Sequence, residues 1–234
     1  MRPTIIRNAI FYLTASILLV GCGGESGDDI FAQGEQACLD GDYEKGIELF
    51  TKAATLMPNN PSIYANRANC HSYLGDLDAA IKDYATAIDK AIAIIGNAND
   101  PRMAIFYYNR GYAYEKANHF KEAIADYEMT IELDEDYPDV TNNLAWILAT
   151  CPEASIRDPK RAVELARRQA EARDMKEPGD IDTLAAALAA TGEYEQAVTM
   201  QEKAIELLTD EGEIKEFTSR LDLYKAGKPY FQDQ

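Results

Sequence analysis

Tyr107-Tyr108-Asn109-Arg110-Gly111-Tyr112-Ala113-Tyr114, followed after a short break by Phe120-Lys121-Glu122-Ala123-Ile124-Ala125-Asp126-Tyr127, decides the fold. Tyr107, Gly111 and Tyr114 fall at i, i+4 and i+7, one face of a helix, and Phe120, Ala123, Ile124 and Tyr127 repeat that spacing. Asn118, between the two runs, suits a left-handed turn at a helix C-terminus. Large aromatics opposite Gly111 and Ala123 let two helices approach closely, a bump against a hollow.

The same unit recurs in both directions. Small residues on the first helix are Gly34, Ala68, Gly111, Ala145 and Ala185, at spacings of 34, 43, 34 and 40. On the second they are Gly46, Ala80, Ala123, Ala162 and Ala197, at spacings of 34, 43, 39 and 35. A period near 34 with insertions marks an array of helix-turn-helix repeats. The apolar stripe Leu77, Ile81, Tyr84, Ile88, Ala91, Ile92, Ile95 predicts one overlong helix, which accounts for the 43-residue step.

From about Asp28 onward the chain resembles the tetratricopeptide repeat (TPR) family, most closely along Asn60-Pro61…Tyr64…Ala68…Gly75-Asp76-Leu77…Ala80…Tyr84…Ala87. The resemblance implies an all-α fold: a right-handed α-solenoid of five helix-turn-helix repeats plus a C-terminal capping helix. Its expected limits are 30–227, with repeats near 27–60, 61–94, 104–137, 138–177 and 178–211, a cap at 213–226 and a tail at 228–234. In the cap, Phe217, Leu221 and Tyr224 form the apolar stripe and the other face is charged. Such a cap shields the open end of a repeat stack.

The N-terminus differs in kind. Arg2 and Arg7 precede an apolar run from Ala9 to Val20, shorter than the ~20 residues of a membrane-spanning helix. Leu19-Val20-Gly21-Cys22 resembles the bacterial lipobox. This implies a signal peptide at 1–21, cleavage before Cys22 and lipid attachment there, with 22–29 as a flexible polar tether. Several acyl chains give stable anchoring. The implied address is the bacterial cell envelope: the outer membrane facing the periplasm in a Gram-negative cell, otherwise the exterior of the cell membrane. Cys38, Cys70 and Cys151 then remain, an odd number. No disulfide is expected to be required for folding, and Cys70 is expected to be a small core residue.

With 23 basic and 40 acidic residues the formal net charge is −17, which argues against sequence-independent nucleic-acid binding. Only His71 and His119 are present, without HExxH, GxSxG or a phosphate-cradling glycine loop, so no catalytic group, metal or cofactor is expected.

The binding candidates lie two residues before the small landmarks: Asn66, Asn109 and Asn143, with Ala32 and Thr183 in the outer slots. Side-chain amides donate to and accept from an extended backbone whatever its sequence. The resemblance implies the same, because some TPR proteins hold peptides with such a ladder. Tyr112 and Trp146, three residues on, share that face and supply apolar area. Phe31 and Ile105 stand where a family carboxylate grip would need Lys. Arg67 and Arg110 are expected to pair with acids between repeats. The expected role is a non-catalytic, lipid-anchored scaffold holding a protein or extended peptide. The alternatives are a self-associating structural solenoid, which would form a homodimer, and a thiol enzyme using Cys151.

Overall fold

The computed structural model describes residues 25–232, among which there are eleven α-helices and no strand. The chain divides into two units, one ending at Asp83 and one beginning at Tyr84. Cys22 and the stretches expected to form the signal peptide and the start of a tether lie outside the described residues.

In the first unit, α1 (Gly27–Leu39) and α2 (Tyr43–Leu56) form a hairpin. Residues 27–29, expected to belong to a flexible tether, are helical. Ser26 Oγ accepts from Asp29 N at 3.1 Å while the Asp29 carboxylate accepts from Ser26 N at 3.2 Å, a reciprocal cap that starts the helix at Gly27. Asp42 caps α2, accepting from Lys45 N at 3.1 Å. Asn60 caps α3 (Pro61–Tyr73), with the proline in its first turn. Phe50 and Ile63 are fully buried with Ile30 and Leu49. Gly34 permits the approach: a Cβ there would lie 2.7 Å from Phe50 Cε1.

The unit also holds a bond that the cysteine count did not foresee. Cys38 of α1 and Cys70 of α3 form a disulfide, their Cα atoms 6.7 Å apart. Cys70 is buried as expected, but oxidised. Gly46 of α2 is the close neighbour of both sulfurs, and a Cβ there would lie 3.0 Å from Cys70 Sγ.

α4 (Leu77–Ile95) is the overlong helix. Asp100 then opens a single 3-10 turn, Pro101–Met103, which leads into α5 (Ala104–Lys116) and α6 (Phe120–Leu133). Asn118 takes φ +59° in the turn between them. A Cβ on Gly111 would stand 3.0 Å from the Tyr127 ring, so the bump and hollow read from the sequence do meet. Next come α7 (Val140–Thr150), α8 (Pro159–Ala172), α9 (Pro178–Ala190) and α10 (Tyr194–Glu206). Nearly every residue of α9 is buried, including Asp180, Asp182 and Thr183. The last helix, α11 (Glu211–Lys225), buries Leu221 and Tyr224, and also the charged Arg220.

Arg67 and Arg110 do pair with acids, but across their own hairpins rather than between repeats. Arg67 Nε and Nη2 donate to the two Asp83 oxygens at 2.7 and 2.8 Å, and Arg110 holds Asp126 at the same distances. The arginine precedes the small landmark of the first helix. The aspartate lies three residues beyond that of the second, which is where the helices face each other. The matching positions elsewhere are Gln33/Leu49, Leu144/Leu165 and Leu184/Met200, largely apolar. An Arg110→Leu/Asp126→Leu double variant is therefore expected to keep its stability within about 1 kcal/mol, whereas Asp126→Ala alone loses about 3 kcal/mol by stranding the guanidinium. Urea titration of the three proteins measures the difference.

Candidate functional site

The three amides come to different local arrangements. Asn66, on α3, donates from Nδ2 to Glu35 Oε1 of α1 at 3.3 Å. Burial raises the Glu35 carboxyl, and that hydrogen bond partly offsets the rise. Asn143, on α7, donates to the Tyr108 hydroxyl of α5 at 3.3 Å. Both amides thus reach the first helix of the preceding hairpin, and each keeps its carbonyl oxygen outside that bond. Asn109, on α5, is half-buried and makes no side-chain hydrogen bond to another described residue. Asn66 belongs to the first unit, Asn109 and Asn143 to the second.

Tyr112 lies one turn beyond Asn109, half-buried, with Lys116 Nζ 4.9 Å from its ring centroid. Trp146 lies one turn beyond Asn143. Its ring is covered by two groups absent from the sequence reading: Tyr230, with centroids 5.8 Å apart, and Arg220, whose Cζ is 5.5 Å from the indole. Arg220 is only 4% exposed at its side chain. Its Nε donates to Asp182 at 2.8 Å and Nη1 to Glu216 at 2.8 Å, while Phe217 and Tyr230 flank the guanidinium at 4.6 and 5.5 Å. Gln201 Nε2 gives Asp182 a second donor at 2.7 Å. Burial still pushes the Asp182 carboxyl upward against both partners.

Near the start of α9, burial raises Asp180 to about 6, with Asp139 and Glu177 adding to the rise and Arg173, 3.4 Å away, opposing it. The folded state therefore holds this proton more tightly than the unfolded chain. The contribution is fully present below about pH 4 and is lost as pH rises through about 6. Two pH units correspond to roughly 3 kcal/mol. Asp180→Asn is expected to flatten stability between pH 4 and 7 and to raise the melting temperature at pH 7.5, which scanning calorimetry measures.

Cys151, the candidate thiol, lies in the core of the second unit. Its side chain is buried beside Leu148 and Ala162, and burial pushes the thiol up, away from the thiolate that attack requires. Among the described residues no group of three or more His, Cys, Asp or Glu could hold a metal ion, and no helix is long and apolar enough to cross a membrane.

Comparison with known proteins gives the repeats their name. Tetratricopeptide repeat models match residues 59–136 and 181–209. Small glutamine-rich tetratricopeptide repeat-containing protein 2 of Saccharomyces cerevisiae is 32% identical over 109 residues, 47% of this chain and 29% of that protein. The match thus spans less than a third of that relative's length. A tetratricopeptide repeat protein from Parabacteroides merdae superimposes with a TM-score of 0.71 at 14% identity, covering 87% of this chain and 75% of the other. YrrB, described as a TPR protein with an unusual peptide-binding site, gives 0.65 at 16% identity over 83% of this chain and 92% of its own. The chain carries tetratricopeptide repeats, at 59–136 and 181–209, within an all-α helical repeat fold.

Proposed function

We propose that this protein is a lipid-anchored scaffold of the bacterial cell envelope that holds an extended segment of a partner protein on the first helices of its repeats. The observation that carries the reading is Asn109. It is a half-buried amide with hydrogen-bonding capacity unspent among the described residues, one helical turn from the half-buried ring of Tyr112. A free amide beside an aromatic face suits a passing peptide backbone and one of its apolar side chains. Asn143 and Trp146 occupy the same slots one hairpin later, the amide donating to the Tyr108 hydroxyl and the indole lying against Tyr230 and Arg220. The peptide-binding site named for YrrB, on the same fold, makes such a use of these helices reasonable by analogy.

The exported half of the reading is supported by the Cys38–Cys70 disulfide, because such bonds persist mainly in oxidising compartments. The lipid is assigned to Cys22, on the lipobox resemblance. Cys22→Ala is expected to move the protein from the membrane to the soluble fraction.

A photo-crosslinking amino acid in place of Tyr112 tests the binding face. A discrete adduct with another protein is expected in native envelopes, absent when the crosslinker replaces the exposed Glu44. No adduct from position 112, or an adduct with a second copy of this chain only, would remove the proposal.

A further inference from the structure

The segment after α11 turns back onto α7. Gly227, at φ +67°, reverses the chain, Lys228 N donates to Leu223 O at 2.9 Å, and Pro229 prevents the helix from resuming. Residues 229–232 then run without helix or strand. Tyr230 covers Trp146 and the Arg220 guanidinium. The Phe231 ring lies 4.1 Å from Arg157 Cζ, yet Phe231 is 39% exposed. Gln232 N donates to Thr150 O at 2.9 Å, and its Nε2 donates to Thr150 Oγ1 at 2.7 Å. These contacts join residues 82 positions apart.

The receiving groups are held in place without this segment. Arg157 Nη1 donates to Cys151 O at 2.7 Å and Pro152 O at 3.1 Å. Arg220 is fixed by Asp182 and Glu216. Thr150 Oγ1 donates to Trp146 O at 2.7 Å, which orients its lone pairs toward Gln232. A main-chain N–H meets the last-turn carbonyl of a helix, two rings meet two guanidinium groups, and a side-chain amide meets a hydroxyl. These are the contacts by which a receptor holds an extended peptide. Only Ala226, Gly227 and Lys228 separate the segment from α11, so its effective concentration at the face is on the order of millimolar. A peptide making the same contacts in trans competes only when it exceeds that level or adds contacts of its own.

We propose that Pro229–Gln232 is an internal ligand of the face formed by Trp146, Thr150, Arg157 and Arg220. The external ligand that displaces it is an extended protein segment with two adjacent aromatic residues followed by a side-chain amide. The proposal rests on the reading that the Asn143–Trp146 face of α7 receives peptides, and it names which peptide chemistry that end takes.

The test uses the full chain and a fluorescein-labelled Lys-Pro-Tyr-Phe-Gln peptide, followed by anisotropy. Tyr230→Ala/Phe231→Ala is expected to bind the probe at least tenfold more tightly than the native chain, and adding Arg157→Ala is expected to abolish the gain. Trp146 is the only tryptophan, so its emission reports the same event: a red shift in the double variant, reversed by the peptide. Gln232→Ala, which leaves the aromatic contacts intact, carries the same comparison with a smaller gain if the double variant loses helix content by circular dichroism. Equal probe binding by native and opened chains, or none by either, overturns the proposal. An adduct from position 112 that is unchanged in the opened chain, together with either of those results, would sink the internal ligand while sparing the binding face. Probe binding without any adduct would spare the internal ligand alone.

Discussion

Replacing Asp182 by Ala is expected to lower the stability of the second unit by about 3–5 kcal/mol, the usual consequence of stranding a buried charge. The carboxylate is 6% exposed and accepts from Arg220 Nε and Gln201 Nε2. Without it, the guanidinium would keep only Glu216, a partner 67% exposed, among three aromatic rings. Gln201 would lose its 2.7 Å acceptor while its Oε1 is already unpartnered. Asp182→Asn, which still accepts, should lose less. An Asp182→Leu/Arg220→Met pair should recover most of the loss, since apolar replacement of a whole buried pair is close to neutral. Urea unfolding followed by Trp146 emission reads the second unit selectively, because no other tryptophan contributes. A loss below about 1 kcal/mol for Asp182→Ala would mean that the pair is solvated.

Reducing the Cys38–Cys70 bond is expected to destabilise the first unit by roughly 3–4 kcal/mol. The bond closes a loop with a sequence separation of 32, and constraining such a loop removes about that much conformational freedom from the unfolded chain. Cys38→Ala/Cys70→Ala should show the same loss without reductant. Hydrogen exchange measures it locally: amides of α1 to α3 should exchange faster in dithiothreitol, while those of α9 and α10 stay unchanged. Exchange that is unaltered by the reductant would show that the bond contributes nothing.

What could be read from the chain in advance follows the range of each interaction. The left-handed Asn118 and the overlong α4 are local, set by residues within a turn or two. The contact of Gly111 with Tyr127 is also legible, because repetition fixes which helix faces which. The reciprocal Ser26–Asp29 cap was equally local but lay inside a glycine-rich stretch that resembled a tether. Pairing of Cys38 with Cys70 depends on α1 and α3 meeting around Gly46, which parity among three thiols does not reveal. The cover over Trp146 was furthest out of reach, since Tyr230 sits in a non-repeating tail with no periodic signal. The amides fall between these cases. Their shared slot is plain in the sequence, but whether a given Asn spends its donor on a neighbouring helix, as Asn66 and Asn143 do, depends on what stands opposite: Glu35 or Tyr108.

The most direct test of the binding face is the affinity of the partner crosslinked at position 112, measured by calorimetry against the native chain and against an Asn109→Ala/Asn143→Ala variant with unchanged helix content. Each amide bond to a peptide backbone is worth about 1 kcal/mol, so a ten- to fortyfold weaker dissociation constant is expected. Equal affinity for both proteins would place the partner elsewhere on the molecule and contradict the account.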